Sequence, residues 1–168
     1  MAELFICKIA SLQEIDIKWE YEIAHSGKDK ENWVAWKKQN IENYKQGYII
    51  PYYGIFEGSI ICEATAMVHS KVVQNSAGLV GKHTVYLSAF RTISRFQGKG
   101  YFSKLFHFMI NDLQHKGFTK ATLGVEPSEE KNKEIYAHYG FTKYIKSGKE
   151  HYPDGTTINV EYYGKTLE

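Results

Sequence analysis

The segment Arg95-Phe96-Gln97-Gly98-Lys99-Gly100-Tyr101-Phe102 constrains this chain more than any other. Before it runs Val85-Tyr86-Leu87-Ser88-Ala89-Phe90, rich in β-branched and aromatic residues and therefore strand-like. After it, Phe102, Leu105, Phe106, Met109, Ile110 and Leu113 recur at i, i+3, i+4, i+7, i+8 and i+11, one apolar stripe of a helix. A glycine loop that opens a helix turns free backbone N–H groups outward, backed by the positive end of the helix dipole. That arrangement binds anions, phosphates above all. The charge pattern agrees. No acidic residue stands between Glu63 and Asp112, whereas Lys71, Lys82, Arg91, Arg95, Lys99 and Lys104 do. The formal net charge of the whole chain is only +2, so this one-signed stretch is a local feature that concentrates anionic ligands.

At 168 residues the chain fits one domain, 1–168, with a substantial core. A charge balance near neutrality argues against a dedicated nucleic-acid binder. Cys7 and Cys62 both lie in apolar strand-like runs and read as packed thiols of a reducing compartment. Glu3 and Lys8 flank only a short apolar run, so no secretory leader is expected. No segment reaches the roughly 18 apolar residues that cross a membrane. The expectation is a cytoplasmic protein without a membrane partner. A homodimer stays open, since no interface is identifiable from the sequence.

Leu4 to Ile9 reads as a first strand, followed by a helix that Ser11 and Glu14 begin in capping-box form. A second helix carries Trp33, Trp36, Ile41 and Tyr44 and stops at Gly47. Tyr48 to Phe56 and Ser59 to Val68 read as a hairpin through Glu57-Gly58. The polar stretch His69 to Gly78 is expected to be a mobile loop on the substrate side. Thr119 to Val125 is a strand, and a helix begins at Pro127-Ser128 with Ile135, Tyr136 and Tyr139 on its apolar side. Phe141 to Ile145 and Thr157 to Tyr163 are the last strands, joined through Tyr152-Pro153-Asp154-Gly155. This order predicts an α/β (α+β) fold: a mixed, mostly antiparallel sheet of six to seven strands flanked by about four helices.

Which phosphorylated ligand the loop serves depends on its spacing. A P-loop needs G-x-x-x-x-G-K-[ST], which Gly78-Leu79-Val80-Gly81-Lys82-His83 does not supply. A dinucleotide fingerprint needs a third glycine, absent after Gly98-Lys99-Gly100. The remaining pattern is the Q/R-x-x-G-x-G/A loop of acyl-CoA-dependent transferases. From about Tyr86 to Phe141 the chain resembles the GNAT superfamily of N-acetyltransferases. The resemblance rests on the strand ending at Thr92, the loop and helix Gln97 to Leu113, and Ile135-Tyr136-Ala137-His138-Tyr139-Gly140-Phe141, similar to the family's "LYEKxGF" segment.

The resemblance implies a coenzyme-binding core at about 83–141 and acetyl-CoA as cosubstrate. Phe90, Arg91 and Thr92 would offer backbone groups to the pantetheine arm. Gln97, Gly98, Lys99, Gly100, Tyr101 and Phe102 would surround the pyrophosphate, with Lys99 and Lys104 as charge partners. Placed by the helix start, the motif reads Gln97-x-x-Gly100-x-Phe102, with Phe where the family prefers Gly or Ala. Glu129 stands where the family often has Asn; Asn132 is the nearby adenosine-side candidate.

Tyr136 would lie near the sulfur as general acid, against a bland reading as a packed aromatic. The fourth strand offers no carboxylate between Val85 and Thr92, so Glu63 on the third strand or Glu126 after the fifth is the candidate base, or waters relay the proton. Glu161 on the last strand has the same bland reading as a surface carboxylate. The seven histidines show no ligand spacing, and no metal is expected. The expected activity is transfer of an acetyl group to a primary amine of a small molecule, peptide or protein. The alternative is a catalytically weak CoA-binding sensor or interaction module of the same fold, motivated by the missing carboxylate.

Overall fold

Consecutive strand residues point to opposite faces of a sheet, yet Tyr52 and Tyr53 are 0% and 2% exposed. The computed structural model describes residues 4–168, so Glu3 lies outside the described residues. It accounts for both tyrosines by covering the sheet on each side. Seven strands, β1 Phe5–Ile9, β2 Ile49–Phe56, β3 Ser59–Met67, β4 Thr84–Thr92, β5 Lys120–Val125, β6 Lys143–His151 and β7 Thr157–Thr166, lie in the order β1-β2-β3-β4-β5-β7-β6. Only β4 and β5 run parallel, and the helix between them makes the crossover that a parallel pair requires. The helices are α1 Leu12–Ala24, α2 Lys30–Lys45, α3 Tyr101–His115 and α4 Glu130–His138. This is the mixed α/β architecture expected.

The α3 stripe packs as its spacing dictates, with Leu105, Phe106, Met109, Ile110 and Leu113 buried against Tyr52, Leu87 and Leu123. Tyr52 donates its hydroxyl proton to Asp112 of α3 at 2.6 Å. On the other face, Tyr53 joins Ile15 and Trp19 of α1, with Trp33 and Trp36 of α2 beside them. The capping box forms: Ser11 N donates to Glu14 Oε1 at 2.9 Å, and Glu14 N donates to Ser11 Oγ at 3.2 Å. No helix among the described residues is long and apolar enough to cross a membrane.

Three local expectations differ from the structure. Helix α4 starts at Glu130, later than Pro127-Ser128, and Ile135 is 41% exposed, outside any apolar face. Strand β6 continues past Ile145 to His151 because β7 pairs with it along its length. The 69–83 connection is tied down. Gln74 exchanges hydrogen bonds with the His151 backbone at 2.8 and 3.1 Å, and Lys146 Nζ donates to Asn75 O and Ala77 O. Leu79 anchors the same connection, fully buried.

Candidate active site

β4 and β5 pair only from Thr84–Leu87 opposite Lys120–Leu123, and then part. The cause lies in β4 itself. Its register with β3 slips between Glu63 and Thr65, and Ala89 takes φ 57°. Left-handed backbone costs a non-glycine residue about 1–2 kcal/mol, so the surrounding sheet must hold this bulge in place. The parting strands open a cavity of about 450 Å³ whose lining includes Ser88, Phe90, Glu126, Tyr136 and Tyr152.

The glycine loop sits at the end of β4. Gly98 and Gly100 have φ 73° and 83°, with nothing within 4 Å of an added Cβ, so backbone conformation and not space demands glycine there. Gly100 is the N-cap of α3 and offers no side-chain cap, which leaves the first-turn amides of a 15-residue helix without an internal acceptor. Gln97 Nε2 donates to Thr92 O at 3.0 Å, tying the loop to the strand. Lys99 and Lys104 are exposed. Tyr101 packs on Phe5 and Phe56. Phe102 packs on Phe90 and Tyr139, at 5.3 and 5.8 Å between centroids, so its ring turns toward the core and leaves the loop amides clear.

Phe90 links loop to cavity, since it also meets the Tyr136 ring edge-on at 5.6 Å. Among the described residues the Tyr136 hydroxyl has no hydrogen-bond partner. Burial first, and the Glu129 charge second, hold its phenol above the ordinary tyrosine value. It is therefore neutral and able to donate a proton. Arg91 also borders the cavity, but its guanidinium pairs with Glu22 at 3.1 Å and lies 4.5 Å over Trp33. Asn132 donates to Glu129.

The two candidate bases are far from equivalent. Glu126 lines the cavity with Tyr136, and a hydrogen bond with Glu129, then burial, raise its carboxyl above the ordinary value. Glu63 lies in a different cavity of about 910 Å³ under α1, in an ion pair with Lys18 at 2.9 Å. Burial pushes Glu63 up, and the Lys18 charge opposes it. Glu161 pairs with Lys133 at 3.0 Å. Sequence reasoning missed Glu129 and Glu150 as cavity residues. In the sequence Glu129 stands out only as a departure from the family's Asn, and Glu150 lies beyond the expected end of β6. Among the neighbouring rings, Tyr52 and Tyr53 are core residues and Tyr48 stacks on His69, whereas Trp36 meets Tyr152 edge-on with centroids 5.3 Å apart. Among the described residues no group of three or more His, Cys, Asp or Glu is placed to hold a metal ion.

The comparisons with known proteins fit this geometry. A model of the acetyltransferase (GNAT) family matches residues 11–141. No curated protein sequence matches significantly. An N-acetyltransferase from Staphylococcus aureus superposes with a TM-score of 0.67 at 15% identity, over 99% of this chain and 100% of that one. An acetyltransferase from Salmonella typhimurium that modifies the N-terminal serine of a 50S ribosomal subunit protein gives 0.71 at 11% identity, over 99% and 97%. A ribosomal α-N-protein acetyltransferase in complex with coenzyme A gives 0.67 at 11% identity, over 99% and 96%. At such identities the likeness is one of fold.

Proposed function

The chain belongs to the acetyltransferase (GNAT) family, and from that premise we propose that it moves an acetyl group from acetyl-CoA to a primary amine by direct attack in the cavity between β4 and β5. One observation carries this reading: Phe90 touches both Phe102, at the start of the phosphate-type helix, and Tyr136, in the cavity. A ligand with phosphates at one end and a reactive group at the other fits that continuity.

In this reading the amides from Gly98 through Tyr101 to Phe102, with Gln97 just before them, hold the pyrophosphate, and Lys99 and Lys104 are counter-charges. Phe90, Arg91 and Thr92 offer backbone groups to the pantetheine arm, and Asn132 completes the coenzyme contacts. An aliphatic amine has a pKa of about 10.4 and arrives protonated. Glu126, made more basic by Glu129, takes that proton. The amine nitrogen then bonds to the thioester carbonyl carbon. Strand amides of β4 beyond Leu87, which lack a β5 partner, face the developing oxyanion; such donors are worth about 3 kcal/mol each. The oxyanion collapses, the C–S bond breaks and Tyr136 gives its proton to the departing sulfur; the adduct nitrogen releases its second proton to solvent as the amide forms, and solvent reprotonates Tyr136. The case for a catalytically idle sensor rested on the missing β4 carboxylate. Glu126, just after β5 and on the cavity wall with Tyr136, supports the enzyme reading.

Thermal melting tests the donor. A ligand at 100 times its Kd stabilises by about 2.7 kcal/mol, which in a domain of this size is about 5–10 °C. Acetyl-CoA and CoA are expected to give that shift. Stabilisation by ATP or NAD, with none by either CoA form, would sink the reading.

A further inference from the structure

Glu150 lines the cavity from β6, takes no part in the transfer steps, and is held more firmly than a surface glutamate requires. Tyr162 Oη donates to Glu150 Oε2 at 2.7 Å. Asn75 Nδ2 donates in turn to Tyr162 Oη and to Lys149 O, both at 2.9 Å. Tyr162 is fully buried. Two strand glycines make room for this relay. A Cβ on Gly148 would lie 3.0 Å from Asn75 Nδ2, and one on Gly124 would lie 2.8 Å from the Tyr86 hydroxyl and 3.0 Å from the Tyr162 ring. Asn75 itself sits at φ 56°, in the left-handed region that asparagine tolerates better than most. The carboxylate is thus presented to the cavity by a built support.

What it meets there can be read from the surroundings. Among the described residues, no Lys, Arg or His side chain pairs with Glu126, Glu129 or Glu150, although Lys18, Lys37, Arg91, Lys116 and Lys133 all find carboxylates elsewhere. Glu126 and Glu150 are half-buried and Glu129 is exposed, and three carboxylates without ion pairs at one cavity attract a cation. Independently, half-buried Ser88 borders the same cavity, and its shielded Oγ has no hydrogen-bond partner among the described residues, so its bonding capacity is unspent. The rings of Tyr136 and Tyr152 add faces that attract cations. The turn after Tyr152 is tied to α2: Asn32 Nδ2 donates to Asp154 Oδ2 at 3.1 Å, and Asp154 N donates to Asn32 Oδ1 at 3.0 Å. A short, slender acceptor suits such a space.

We propose that the acceptor is a small aliphatic diamine or polyamine, one amine taking the acetyl group while Glu150 holds a second, cationic amine. Glu150 is then the specificity-determining residue, and Tyr162 and Asn75 are its positioning residues. The assignment rests on the acetyltransferase reading.

The test uses the whole protein with saturating acetyl-CoA and follows CoA release with butylamine, 1,4-diaminobutane, 1,5-diaminopentane, spermidine and 4-aminobutyrate. The best diamine or polyamine is expected to exceed butylamine about tenfold in kcat/KM, the order of one charge-assisted contact. The gain should fall in KM, and 4-aminobutyrate should be poorest. Glu150→Gln is expected to collapse the preference to within about twofold. Tyr162→Phe keeps the ring, loses only the hydroxyl, and should reduce the preference partway. Melting curves report that both variants fold. A merely structural role would slow every acceptor alike and leave the ratio intact. Where turnover is too slow to read, calorimetric titration of the same amines into the CoA complex gives the ratio from Kd. Equal use of butylamine and diamines, or a ratio unchanged in Glu150→Gln, overturns the proposal. CoA binding without a diamine preference overturns the acceptor assignment alone. Failure of both CoA and acetyl-CoA to bind overturns the acetyltransferase reading with it.

Discussion

Under α1, a cavity of about 910 Å³ is lined by Lys18, Glu22, Glu63 and Arg91; between β4 and β5, one of about 450 Å³ is lined by Glu126, Glu129 and Glu150. In the larger space each of these charges has its partner, Lys18 with Glu63 at 2.9 Å and Arg91 with Glu22 at 3.1 Å. The Lys18 ammonium also lies 3.7 Å from the Trp19 ring centroid. In the smaller space no carboxylate is ion-paired among the described residues, since Arg91, which also borders it, is engaged by Glu22, and the Tyr136 hydroxyl has no acceptor. Paired charges spend their electrostatics on holding the fold, whereas unpaired ones stay available for a ligand. Volume alone points to the other cavity.

The contrast can be broken most sharply at Tyr136. Tyr136→Phe is expected to lower kcat by about 10²–10⁴, the usual worth of a general acid, with the melting temperature and the Kd for acetyl-CoA nearly unchanged. A variant that turns over as fast as the parent, with chemistry rate-limiting, would remove the proton donor from the smaller cavity. On the other side, Glu63→Ala leaves Lys18 buried without a counter-charge, at a cost of about 3–5 kcal/mol and a melting temperature lower by about 10 °C or more. The apolar pair Lys18→Met with Glu63→Leu should restore most of that loss. Should Glu63→Ala instead abolish turnover while melting normally, Glu63 is the base and the roles of the two cavities reverse.

Gly100→Ala asks for a side chain at φ 83°. Denaturant unfolding should show a loss of about 1–2 kcal/mol, and calorimetry a weaker grip on acetyl-CoA, since the α3 amides move with the loop. The smallest effect concerns pH. Because the Glu129 hydrogen bond, burial and neighbouring charge raise Glu126 in the folded state, the fold binds its proton more tightly than the unfolded chain does. Stability therefore falls as pH rises from the ordinary glutamate value through the raised one. Glu129→Gln removes the partner carboxylate, moves the Glu126 titration to lower pH and flattens that slope, which carbon-detected NMR of the carboxyl groups and melting against pH both follow.

The legible parts of the sequence were the local ones. The Gly98 and Gly100 loop, the α3 stripe and the Tyr136–Phe141 segment each declare themselves within about a dozen residues. Phe102 was the unorthodox residue of the loop, and its packing on Phe90 and Tyr139 shows that it serves the core without blocking the amides. Glu126 was legible as a candidate base, but not its meeting with Glu150 in one cavity, because that joins distant elements. Glu126 follows β5, Glu129 precedes α4, and Glu150 comes from β6. Strand β6 is an edge strand of sequence KYIKSGKEH, whose charges guard the edge and erase the alternation that marks a strand. The 69–83 connection looked free for a related reason. Its anchors, Gln74 and Asn75, are polar residues whose partners on β6 lie more than seventy positions away.

A crystal structure with CoA bound tests the choice between the two cavities most directly. The pyrophosphate is expected on the amides of residues 98–102, and the sulfur in the smaller cavity within hydrogen-bond reach of Tyr136 Oη. A coenzyme whose sulfur lies instead beside Lys18 and Glu63 would contradict the assignment.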